Sequence, residues 1–130
     1  MANTDFAIEV VADSGDGRGA SFPVSTGWLT EGFASLDAHV TTIRPGCIRG
    51  NHYHAARREV LVVLYDDCWS VHWDTGSGSP VNSRRFTGSG CVLLQVPPMV
   101  SHAIRNDGRQ TLRMVGIIWA FTTSTPHWAA

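Results

Sequence analysis

Gly46-Cys47-Ile48-Arg49-Gly50-Asn51-His52-Tyr53-His54-Ala55-Ala56-Arg57-Arg58-Glu59 is the stretch that decides how this chain is read. Two histidines stand two residues apart, and a carboxylate follows five residues later. Side chains at i and i+2 of a β-strand point to the same face. His52 and His54 are therefore predicted to project side by side, with Tyr53 on the other face. A short turn through Ala55–Arg58 brings Glu59 back on the next strand. Two imidazoles and one carboxylate on adjacent strands form a donor set for a borderline divalent ion. A fourth candidate is His102, which follows the proline turn Pro97-Pro98-Met99-Val100-Ser101. The plainer alternative for His52, His54, Glu59 and His102 is a hydrogen-bonded polar lining without metal.

Outward from this stretch the chain reads as all-β. Short runs rich in β-branched and aromatic residues alternate with Gly, Pro, Ser, Asn and Asp clusters. Strands are predicted over 6–12, 21–24, 35–43, 48–54, 59–65, 69–74, 83–87, 91–96, 102–106 and 112–121. Many short strands at near-regular spacing suggest a sandwich or barrel. Glu59, Leu61, Val63 and Tyr65 share one face of their strand, and Val60, Val62 and Leu64 share the other. With Glu59 as a ligand, the first face lines the barrel interior and the second packs between the sheets. His39 shares a face with Asp37, Thr41 and Ile43 and can look into the same cavity. The five tryptophans are either core or the lining of a cavity for a flat or sugar-like substrate, Trp73 above all. The segment 123–128 reads as an edge or dimer arm.

Composition sets limits. At 130 residues, one domain over 1–130 is expected, with N-terminal strands at 6–24, a core at about 35–121 and a tail at 122–130. The apolar fraction is 43% and the net charge −1, which excludes a disordered chain and points to no polyanion partner. All ten basic residues are arginine, so lysine Schiff-base and Walker-type chemistry are ruled out. The cysteines, Cys47, Cys68 and Cys91, are odd in number and have no C-x-x-C spacing. They suit reduced thiols in the cytoplasm, Cys47 and Cys91 as small buried hydrophobes. No signal peptide, membrane span or nucleic-acid-binding motif is read.

The motifs resemble those of the cupins, which have the double-stranded β-helix or jelly-roll barrel. Gly46, His52, His54 and Glu59 match the first cupin motif, G-x5-H-x-H-x3/4-E-x6-G, and Asp66 replaces its last glycine. Gly90, Pro97, His102 and Asn106 match the second motif, with one extra residue before the proline and Met99 in place of its second glycine. All four ligand positions are filled, so the resemblance implies one metal ion on His52, His54, Glu59 and His102. Arg49-Gly50-Asn51-His52-Tyr53-His54 is similar to cupin modules of sugar-nucleotide biosynthesis, including the zinc-binding C-terminal cupin of capsule-forming reductases. Asp16-Gly17-Arg18-Gly19 is similar to the start of that group. Keto-sugar isomerases and dTDP-sugar 3,5-epimerases resemble the chain more loosely, and aromatic polyketide cyclases share the size and a similar metal site.

Three kinds of chemistry follow. A redox-inert ion, zinc before nickel or manganese, supports isomerisation, epimerisation or cyclisation of a carbonyl compound, with His39 or Tyr65 carrying the proton. Iron in the same site supports dioxygen chemistry. Without metal, a histidine of the His52/His54 pair would act as general base beside a keto-sugar, abstracting a proton next to the carbonyl. Apart from these chemistries, a non-catalytic binding module would hold a small molecule without turnover. Non-redox chemistry on a sugar-nucleotide or natural-product substrate is the leading expectation. A homodimer is expected as well, because an open sheet edge needs cover, the apolar strand near the tail above all.

Overall fold

The computed structural model describes residues 6–28, 33–76 and 78–121. Among them there is no helix, and so none long and apolar enough to cross a membrane. The strands are β1 (Ala7–Val11), β2 (Phe33–Ile43), β3 (Ile48–His52), β4 (Arg58–Tyr65), β5 (Trp69–Asp74), β6 (Asn82–Phe86), β7 (Gly90–Val96), β8 (Ser101–Asn106) and β9 (Leu112–Phe121). They form two antiparallel sheets, ordered β1-β7-β4-β9-β2 and β3-β8-β5-β6. This is the jelly-roll architecture that the cupin resemblance implies, and a sandwich as the strand spacing predicts.

The period-two alternation of β4 explains how the layers meet. Leu61, Val63 and Tyr65 face the second sheet and pack with Val71, Ile104 and Trp69 in one core between the sheets. Burying each such side chain contributes roughly 1.5–3 kcal/mol. Val60, on the opposite face, packs with Val11, Cys91, Leu93 and Trp119 in a second cluster. That cluster is not between the sheets, as the sequence suggests. It lies on the outer face of the five-stranded sheet, where Phe22, Val24 and Trp28 cover it. Residues 21–24 accordingly form no strand but serve as an irregular apolar strap. Leu64, beyond the strap, is exposed.

The tryptophans serve this packing. Trp69 and Trp119 are buried, Trp28 lies against Trp119, and Trp73 stacks on Phe6 with centroids 4.6 Å apart. The Phe6–Trp73 stack joins the β1 and β5 side of the sandwich. The apolar strand β9 is covered on both edges, by β4 and β2. Residues 123–128, including Trp128, lie outside the described residues.

The turns show why the motif departures are tolerated. Asn106 is buried; its amide donates to the Ile43 and Gln110 carbonyls, and its Oδ1 accepts the Gly108 N–H. Asp67, beside the Asp66 that replaces a motif glycine, accepts the N–H groups of Cys68 and Arg109. Met99, where the second motif has glycine, adopts the left-handed backbone a glycine would, with φ 70°.

Candidate metal centre and its cavity

The ligand-type residues converge from both sheets. β3 pairs with β8 so that His52 stands opposite His102, with a register shift between Gly50 and His52. Gly50 makes this possible. Its φ is +95°, and a Cβ there would sit 2.8 Å from the His102 carbonyl oxygen, closer than any side chain allows. Glu59 reaches the cluster from β4 in the other sheet. Donor atoms of His52, Glu59 and His102 lie within 4.8 Å of one another. The His54 ring is 5.0 Å from that of His52, and its Nε2 is 4.0 Å from Glu59 Oε1. The Met99 N–H donates to the His54 carbonyl at 2.8 Å, which ties the loop after β3 to the loop before β8.

These residues fit a divalent ion. His102 Nε2 approaches Glu59 Oε1 at 2.7 Å, yet Glu59 Oε1 and His54 Nε2 are buried and make no hydrogen bond. Buried polar atoms left without partners are costly, and a cation between them would satisfy both. His102 Nδ1 lies 3.4 Å from the Val100 carbonyl. A proton on Nδ1 directed there leaves the Nε2 lone pair for coordination, the usual outer support of a metal-bound histidine. Burial, first of all, pushes the His54 imidazole below its ordinary pKa of 6.5; the Glu59 charge opposes this, and the Arg57 charge is among those that add to it. The neutral, ligand-competent form is thereby favoured.

The cluster faces a cavity of about 380 Å³. One wall comes from the five-stranded sheet: His39 and Thr41 on β2, Glu59 and Leu61 on β4, and Met114 on β9. The other carries Arg49, Gly50, His52, His102 and Ile104. His39 therefore does share the cavity with the cluster. Tyr65 does not. It ends β4, six residues and roughly 20 Å of extended chain from Glu59. There it packs against Trp69 and Phe86, and burial raises its pKa, so a role as proton carrier is set aside. Among the described residues no tryptophan lines the cavity, so the expectation of a tryptophan-walled site for Trp73 is also set aside. Cys47 is exposed rather than buried, whereas Cys91 is buried as expected. His72 points to the outer face, where its Nε2 lies 2.9 Å from Ser70 Oγ.

Arg49 is a cavity residue that alternation hides. Unbroken pairing would put residues 49 and 52 on opposite faces; the bulge at Gly50 puts both in the cavity. Arg49 Nε donates to the Thr42 carbonyl at 3.3 Å. Among the described residues no carboxylate pairs with it.

A β-sandwich with this donor cluster between its sheets defines a cupin. Within that class, residues 25–127 match the family described as polysaccharide biosynthesis C-terminal domain, and the chain belongs to it. Solved structures share the fold. A 3,4-ketoisomerase from Helicobacter canadensis is 15% identical, with a TM-score of 0.64 over 94% of this chain and 88% of its own. The dTDP-6-deoxy-D-glucose-3,5-epimerase of Legionella pneumophila, solved with dTDP-4-keto-L-rhamnose, is 17% identical, with a TM-score of 0.68 over 91% and 68%. The capsular polysaccharide assembling protein of Staphylococcus aureus is 19% identical, with a TM-score of 0.50 over 89% of this chain but 32% of that protein. No curated protein matches the sequence closely enough to count as a relative.

Proposed function

We propose that this chain is a metal-dependent isomerase or epimerase of a keto-sugar nucleotide. The observation that carries the reading is one cavity lined by the clustered donors His52, Glu59 and His102, with His54 beside them, together with a facing histidine and an arginine that no carboxylate pairs among the described residues. The family and the ketoisomerase and epimerase folds support it. His52, His54, Glu59 and His102 would hold the ion, with zinc the expected metal. When bound, the ion supplies Lewis acidity that polarises a carbonyl.

The chain's own residues supply the rest. In this reading the His39 imidazole takes the proton from the carbon next to the substrate carbonyl. The C–H electron pair passes into the carbonyl as an enolate, and the proton returns to a different atom or face of the sugar. Such proton transfer contributes about 10²–10⁴-fold to the rate. Arg49, steadied by the Thr42 carbonyl, faces negative charge on the substrate, whether enolate or diphosphate. The buried wall of Leu61, Ile104 and Met114 keeps water from the enolate.

The test combines metal content with hydrogen exchange. Protein purified without added metal is subjected to elemental analysis beside a His52→Ala/His54→Ala control. Both are then incubated with TDP-4-keto-6-deoxyglucose in heavy water, and the sugar protons beside the carbonyl are followed by NMR. Near-stoichiometric divalent metal and enzyme-dependent exchange are expected, both lost in the control. Metal-replete protein that exchanges no proton on this or the UDP-linked keto-sugar would overturn the reading. Oxygen consumption with bound iron would replace it with an oxygenase.

A further inference from the structure

We infer that Gly116 is a positioning residue for His39: the side chain it lacks is the slot in which the imidazole lies. Glycine in the middle of a strand weakens it and marks a close approach. Gly116 occupies such a place in β9, directly opposite His39 in the β2–β9 ladder. Its backbone is not left-handed, unlike that of Gly46 or Gly50, so conformation does not demand glycine. Space does. A Cβ on Gly116 would stand 2.9 Å from His39 Nε2 and 3.1 Å from Cε1. Paired side chains on one sheet face ordinarily keep their Cβ atoms about 4.5–5.5 Å apart and rise side by side. Here the ring instead crosses the β9 backbone. The same Cβ would meet Leu61 Cδ2 at 3.3 Å, so the His39 ring and a Leu61 methyl border the same unfilled space, and both residues line the cavity.

His39 is an exposed histidine on an edge strand, and the room left at Gly116 lets its ring lie along the cavity wall. An alanine at 116 fits the backbone, and the atoms it strikes are the far end of a rotatable side chain. The ring yields, not the strand. The predicted result is a protein with fold and metal intact but the imidazole displaced. The catalytic part of this inference rests on the proposed isomerase reading; the slot itself does not.

Four proteins test it: wild type, Gly116→Ala, His39→Gln and the double variant. NMR reads the proximity of the His39 ring to the Leu61 methyls, thermal melting reads the fold, and elemental analysis reads the metal. Exchange into TDP-4-keto-6-deoxyglucose reads the chemistry. Gly116→Ala should lose the ring–methyl contact, keep its melting transition and metal, and exchange on the order of 100-fold or more slower. The double variant should be no slower than His39→Gln alone, because Gly116 acts only through His39. A retained ring–methyl contact in Gly116→Ala would overturn the slot. A double variant with the product of the two single losses would overturn action through His39. A wild type that exchanges nothing removes the isomerase reading, while the NMR contact still decides the slot.

Discussion

Met99 holds a backbone conformation that suits glycine, and it does so where the loop before β8 meets the loop after β3. Its φ is 70°, its side chain is exposed, and its N–H serves the His54 carbonyl. The left-handed conformation costs a residue with a Cβ about 1–2 kcal/mol. Glycine removes that cost and gives back about 0.5–1 kcal/mol through the freer unfolded chain. Met99→Gly should therefore raise stability by up to about 1 kcal/mol, read as a higher urea midpoint, whereas Met99→Ala, which keeps the Cβ, should gain nothing. A lower midpoint for the glycine variant would show that the Met99 side chain supplies contacts its exposure does not reveal. The clustering of His52, Glu59 and His102, with His54 beside them, was legible in the sequence because their spacing is itself the signal. Arg49 and Gly116 were not. Arg49 reaches the cavity only through a bulge that breaks alternation at Gly50, and Gly116 matters through a partner 77 positions away that only the β2–β9 register reveals.

At the scale of elements, β-alternation and turn residues located nearly every strand, because each of those strands has a periodic face and a Gly, Pro or Asn stop. The segment 21–24 deceived for a reason. Phe22 and Val24 show the same alternation as a strand, but here it marks contact with the sheet beneath and no ladder partner. The Tyr65 reading failed on distance along a strand: sharing a face with Glu59 does not mean sharing a cavity. The turns joining the elements carry an acid-sensitive contribution. Backbone N–H donors from Arg109 and Cys68 hold the Asp67 carboxyl below its ordinary 3.8. For Asp107, burial pushes upward, but hydrogen bonds from Ser70 and Arg105 and the arginine charges outweigh it, and the net shift is downward. Folded-state values below the unfolded ones mean that the folded protein binds fewer protons. The stabilisation is then present above about pH 4 and lost as pH falls through the lowered folded values. Asp67→Asn should be less stable than wild type at neutral pH, and the gap should narrow on acidification from about pH 5 to about pH 2. Denaturant midpoints of chelator-treated proteins, compared across this pH range, check this; a constant gap would refute it.

At the scale of the molecule, the two long seams of the sandwich are treated differently. Phe6 and Trp73 stack where β1 meets the smaller sheet. Where β2 faces β3 lies the cavity, lined by His39 and Thr41 from one strand and Arg49, Gly50 and His52 from the other. Among the described residues β2 has a strand partner only in β9, which leaves the other edge of this 11-residue strand without a ladder; at its end the Thr42 and Ile43 carbonyls accept from the Arg49 and Asn106 side chains. Long exposed edges invite pairing with another chain unless they are covered. The outer sheet face beside that edge is apolar where the strap does not reach: Leu36, Val40, Leu64 and Val115 are exposed, Val40 at 76%. Scattered apolar residues need no explanation, but four on one face beside an open edge resemble the apolar centre of an interface. A homodimer through this face is the expected state, each copy covering roughly 800 Å² of the other. Light scattering at micromolar concentration should report twice the chain mass, and Val40→Asp should halve it while leaving the melting transition in place, because a side chain that exposed holds no fold together. A wild-type monomer would mean that the edge is covered within one chain. A dimer untouched by Val40→Asp would move the contact away from this face.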